Sequence, residues 1–150
     1  MKSLSVSSSQ NIKVDKKVIH SLVAKLSKNL KFKLESLNIN FVNAEYLLNL
    51  NKDYLNHDFN TDIITFNYTG SNNFLDGELF ISVDEAIKNS MKFKVTIDSE
   101  LIRLVIHGIL HLLGYDDETK PEKKKMKVKE NLLTELFDKE YKNLIIEYDY

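Results

Sequence analysis

The chain has 150 residues, 43% of them hydrophobic and 29% charged, the profile of one ordinary globular domain with enough apolar mass for a real core. Its 21 basic and 22 acidic residues nearly cancel, so overall charge does not announce a nucleic-acid binder, although KKKMKVK at 123–129 is locally basic. No apolar run is long enough to span a bilayer, the N-terminus has no apolar leader segment, and the absence of cysteine excludes disulfides and thiolate ligands and fits a reducing cytoplasm.

Residues 2–7 alternate Leu4 and Val6 with polar neighbours, a short strand. Val14, Val18, Leu22, Val23, Leu26 and Leu30 fall at helical spacing, giving an amphipathic helix with a lysine-rich outer face. Leu37, Ile39 and Phe41 predict a half-buried strand over 36–42, and Asn43 suits a helix N-cap. Tyr46, Leu47, Leu50, Tyr54 and Leu55 make a helical stripe over 44–55. TDIITFNY (61–68) and FLDGELFISV (74–83) read as strands joined through the turn-forming GSNN (70–73), a hairpin.

Ser82 with Glu85 is a capping-box pattern opening a short helix to about residue 93. Asp98 is the expected cap of the next helix, whose LIRLVIHGILHLL interior is apolar almost all round and therefore belongs inside a core. Gly114 suits its terminator. Thr119 with Glu122 opens a charged helix to about Lys139, with Met126, Leu133, Leu136 and Phe137 as its inner face. The tail YKNLIIEYDY reads either as helix end or as strand. With one proline, four glycines and no linker or repeat, the expectation is a single α+β domain over 1–150. It has about four strands in a mixed sheet, about five helices and a central buried helix.

His107 and His111 are four apart on that helix, so both imidazoles share one face and can reach one zinc ion. Gly114 lets the chain turn back, and a carboxylate at Asp116 or Asp117 can then supply a third ligand. The spacing to Gly114 favours Asp117, leaving Asp116 to orient an imidazole N–H. Three protein ligands leave a fourth position for water, the catalytic kind of zinc site. Gly108 stands where the zincin proteases carry their catalytic glutamate, which argues against a zincin-like metalloprotease. Its bare backbone either packs closely against a strand or keeps the ground beside His107 open for substrate.

HGILHLLGYDD (107–117) resembles the signature of the YbeY family, bacterial rRNA maturation factors and single-strand-specific metallo-endoribonucleases, which typically reads H-G-x-L-H-L-x-G-Y-D-H. Ten of the eleven positions fit. LNKDYLNHDFNTDIITF (50–66) and DGELFIS (76–82) are weaker segments of the same family in the same order, so the likeness covers roughly 45–130. The resemblance implies one α+β metallo-hydrolase domain holding one Zn2+ through His107, His111 and Asp117. It implies an endonuclease acting on single-stranded, ribosomal RNA, with the small ribosomal subunit as partner, a cytoplasmic location and no membrane. Metal-bound water is then the expected reactant, with Glu78 a candidate proton acceptor, or else a solvent-facing strand residue.

This chain departs from the family at two places. Asp117 replaces the third histidine, and Leu55 stands where the family usually carries an arginine before TDIITF. Lys52, one turn earlier, is a candidate phosphate contact in its place, or a solvated surface lysine, and His57 lies in the adjoining loop. The lysines at 123–129 can track phosphates or simply face solvent. The alternative function is a non-catalytic, metal-stabilised ribosome-binding assembly factor.

Overall fold

A computed structural model describes residues 3–68 and 74–149. Along the chain run β1 (Leu4–Ser8), β2 (Ile12–Val14), α1 (Lys16–Leu30), β3 (Lys33–Val42), α2 (Ala44–Leu55), β4 (Ile63–Asn67), β5 (Phe74–Ser82), α3 (Val83–Phe93), α4 (Ile97–Leu112), α5 (Lys120–Phe137) and β6 (Ile145–Tyr148). The main sheet is mixed, in the order β1-β3-β5-β4, with β1, β3 and β5 parallel and β4 antiparallel to β5. This is the expected α+β architecture. A second sheet pairs β2 with β6, antiparallel. The GSNN turn lies outside the described residues, but the two strands that flank it pair as expected.

Strand alternation sorts the sheet into two faces. Leu37, Ile39 and Phe41 of β3 and Leu75, Leu79 and Ile81 of β5 enter the main core with α1, α3, α4 and α5. Val42, Ile64 and Phe80 point the other way and meet Leu47 of α2 in a small second cluster. Helix α4 lies in the middle of the main core: Leu101, Ile102, Val105, Ile106, Ile109 and Leu110 are fully buried, as an all-round apolar helix requires.

Several elements depart from the sequence reading, each for a local reason. Val14 ends β2, because Asp15 takes the N-cap and receives the Lys17 and Val18 N–H groups. Tyr46, Tyr54 and Leu55 continue the α2 stripe but are exposed, since the second cluster is too small to cover them. Leu136 is also exposed, and the inner face of α5 runs instead through Met126, Glu130, Leu133 and Phe137. Thr96, not Asp98, caps α4 by accepting from Ser99 N–H. The Asp98 carboxylate instead accepts the Asn143 and Leu144 N–H groups at 3.0 and 3.1 Å, holding a segment 45 residues away. The ambiguous tail is strand β6, which finds its partner in β2.

Candidate metal centre

Helix α4 ends in a left-handed glycine turn. Gly114, at φ 99°, donates to the His111 carbonyl, and Tyr115 N–H reaches the Leu110 carbonyl, both at 3.0 Å, the paired bonds of a Schellman closure. The chain thereby folds back over the last turn of α4. Asp116 then accepts the N–H groups of Asp117 and Glu118 at 2.7 and 3.3 Å, so its carboxylate shapes the loop and orients no imidazole. Its neighbour Asp117 is the residue turned toward the helix.

The structure brings His107, His111 and Asp117 together, with one donor atom from each within 4.8 Å of the others. The two rings stand edge to face at 4.7 Å between centroids, and His111 Nε2 lies 3.8 Å from Asp117 Oδ2. Tetrahedral bonds of about 2.0–2.1 Å would set donors about 3.4 Å apart. A half-exposed Asp117 can rotate to close that gap. Two imidazoles and a carboxylate thus fit one divalent ion. Zinc accepts this donor set, as does ferrous iron. Burial, then the nearby His107, depress the His111 pKa against the opposing pull of Asp117 and Asp116, favouring the neutral imidazole that a metal requires.

Behind the ligands lies a carboxylate that the sequence reading missed. Glu130 of α5 is 2% exposed, its Oε1 sits 2.5 Å from His107 Nδ1, and its Oε2 accepts from Arg103 Nη1 at 2.9 Å. With Nδ1 held, His107 presents Nε2 outward, the arrangement by which carboxylates orient metal-binding histidines. Burial alone would raise the Glu130 pKa, but the His107 hydrogen bond and charge, with Arg103 behind them, hold it below the usual carboxylate range. Arg103, the chain's single arginine, is clamped by buried Glu100 through two bonds of 2.8 and 2.6 Å, which raise its pKa further. Two signals pointed here. Arg103, His107 and His111 recur every four residues on one helix face, and Glu130 interrupts the apolar stripe of α5 between Met126 and Leu133.

The remaining candidates lie elsewhere. A Cβ on Gly108 would stand 2.7 Å from Leu79 Cδ2 and 3.1 Å from Ile63 Cδ1, so this glycine serves close packing of α4 on the sheet and opens no space for substrate. Gly77 and Leu79 of β5 both face α4, which turns Glu78 to the opposite face of the sheet. There it accepts hydrogen bonds from Asn40 and Tyr68, away from the cluster. Lys52 is an exposed residue of α2 whose Nζ lies 3.3 Å from Asp58. His57 is exposed and stacks on Phe59 at 5.0 Å.

A single α+β domain with a two-histidine, one-carboxylate cluster at the end of its central helix defines the class: a fold whose central helix carries residues that could hold a metal ion. Comparison with known proteins narrows it. The family profile described as endoribonuclease YbeY matches residues 3–138, and the chain belongs to that family. It is 42% identical over 106 residues to the endoribonuclease YbeY of Cytophaga hutchinsonii, covering 71% of this chain and 74% of that one. To the endoribonuclease YbeY of Karelsulcia muelleri it is 42% identical over 116 residues, covering 77% and 81%. The solution structure of a Thermotoga maritima protein superposes with a TM-score of 0.64 at 26% identity, covering 88% of this chain and 87% of that one.

Proposed function

We propose that residues 1–150 act as one metallo-hydrolase domain that cuts single-stranded RNA, with one zinc ion held by His107, His111 and Asp117. The observation that carries this reading is the open three-donor cluster in a chain of the endoribonuclease YbeY family. Maturation of ribosomal RNA on the small subunit, in the cytoplasm, is the setting that the family resemblance supports. No helix among the described residues is long and apolar enough to cross a membrane.

A zinc ion bound here supplies Lewis acidity toward a phosphoryl oxygen and lowers the pKa of its water. The chain's own contribution is positional. Glu130 holds the His107 ring, the Gly114 turn brings Asp117 over His111, and Arg103 neutralises the buried carboxylates behind them. A protease mechanism has no base at residue 108, because a side chain there would be driven into Leu79.

The test is elemental analysis of purified wild type, Asp117→Ala and Asp117→His, with cleavage of a single-stranded RNA and its duplex. Wild type and Asp117→His should hold about one zinc, Asp117→Ala should hold at least about ten-fold less at limiting metal, and only the single strand should be cut. Equal zinc in Asp117→Ala would remove the third ligand, and intact RNA with zinc-loaded wild type would remove the nuclease reading. One observation favours the non-catalytic assembly role instead: Leu55 is apolar and Lys52 is already paired with Asp58, so neither offers a free cation at the end of α2. Binding to small ribosomal subunits that survives loss of the metal ligands would mark that role.

A further inference from the structure

Beside the cluster lies a small cavity of about 130 Å³ whose walls include His107, Asp117, Arg103 and Glu130 together with two lysines of α5, Lys123 and Lys127. Being four apart, these lysines project from the same flank of the helix about 6 Å apart along its axis. Each can therefore meet a separate phosphate of an extended strand. Lys123 has no ion-pair partner among the described residues, while Lys127 is 62% exposed and only 3.6 Å from Glu130, a carboxylate already shared by Arg103 and His107. Their charges are thus not fully used within the protein. The other lysines of the run do not share this position. Lys125 stands over the Tyr115 ring at 5.9 Å, while Lys124 is exposed, Lys129 is half-buried, and neither lines this cavity.

The same flank of α5 continues past Lys127 into a larger cavity of about 630 Å³, where Asp62, Glu100, Glu135 and Asp138 offset the cations Arg103, Lys127 and Lys139 and leave no net positive charge for a phosphate chain. Of this basic run, Lys123 and Lys127 are the lysines that share a cavity wall with His107 and Asp117. Resting on the endoribonuclease reading, we infer that Lys123 and Lys127 hold the RNA backbone beside the metal, supplying the phosphate contact that Leu55 cannot make. The strand is thereby placed on the α5 side of the cluster.

The experiment measures anisotropy of a fluorescein-labelled single-stranded 12-nucleotide oligouridylate with zinc-loaded protein across a potassium chloride series. Wild type is compared with Lys123→Gln/Lys127→Gln and with Lys124→Gln/Lys129→Gln, which removes equal charge from the same helix. The first pair should weaken binding at least about ten-fold and reduce the slope of log affinity against log salt by about 1.4, or 0.7 for each lost contact. The second should leave the slope unchanged, and zinc content should match wild type in both. Equal losses in the two double variants, or no loss in either, would overturn the inference while leaving the nuclease reading intact. No binding by zinc-loaded wild type would overturn both.

Discussion

Glu130 is the residue on which the cluster's geometry turns. It is buried, ionised, and divided between a histidine of the candidate metal cluster and an arginine outside it. Replacing it by glutamine keeps the volume but removes the charge that favours an outward-facing Nε2 on His107. Such carboxylate partners typically contribute 10–100-fold to metal affinity. Glu130→Gln should therefore bind zinc about 10–100-fold more weakly in a chelator competition titration. Unchanged affinity would mean that His107 orients itself. His107 and His111 were legible in the sequence because one helix face is a local rule, whereas Glu130 comes from a different helix, 23 residues further on. Asp117 and Asp116 were distinguishable only by the spacing to Gly114 and by the family pattern. The backbone bonds that commit Asp116 to the turn are what separate them.

At the scale of elements, α4 and the sheet approach so closely that a glycine stands on each side of the gap, Gly108 on the helix and Gly77 on the sheet. Gly108 faces a leucine side chain, Leu79, which can shift, while a Cβ on Gly77 would stand 2.7 Å from the Phe66 backbone carbonyl and 2.8 Å from Leu112 Cδ2. Backbone in a paired strand cannot give way as a side chain can. Gly108→Ala should cost about 1–2 kcal/mol, overpacking partly offset by better helix propensity. Gly77→Ala should cost about 3 kcal/mol, at the upper end for overpacked cores. Urea unfolding should show that order, and the reverse order would mean that the α4 interface is the stiffer of the two. The helices α1, α3, α4 and α5 and the strands β3 and β5 were legible from periodicity, and α3 and α5 also from their caps, because their apolar faces meet one large core. Helix α2 was legible as a helix but not in its burial, since among the described residues the face it covers offers little beyond Val42, Ile64, Phe80 and the partly buried Phe66. Strand β2 is three residues long, too short for a pattern to appear.

Across the whole molecule, the C-terminal segment is a structural member that the family match, ending at residue 138, does not include. Tyr141 and Leu144 are buried, Asp98 holds the backbone at Asn143 and Leu144, Tyr148 hydrogen-bonds Asp84, and β6 pairs with β2. Removing residues 140–150 exposes the surroundings of two buried side chains, each contributing about 1.5–3 kcal/mol. The shortened chain should lose about 3–6 kcal/mol in urea unfolding while still binding zinc at low temperature. A loss below about 1 kcal/mol would show that the clasp does not support the core. The sequence allowed a strand in the tail but not its partner, because strand pairing between Ile12 and Tyr148 is a tertiary fact with no local signature.

That pairing also imposes an order of events. Chain closure over so long a separation adds only slowly to the entropic cost, but it cannot begin until both partners exist. During synthesis β2 is made before β3 and all the helices and stays unmatched until Ile145–Tyr148 has been made. By then the sheet partners, the ligand helix and the Glu130 helix have all been produced and can assemble from neighbouring pieces. The β2–β6 clasp is thus the seam that closes after the His107, His111 and Asp117 cluster has its full set of parts.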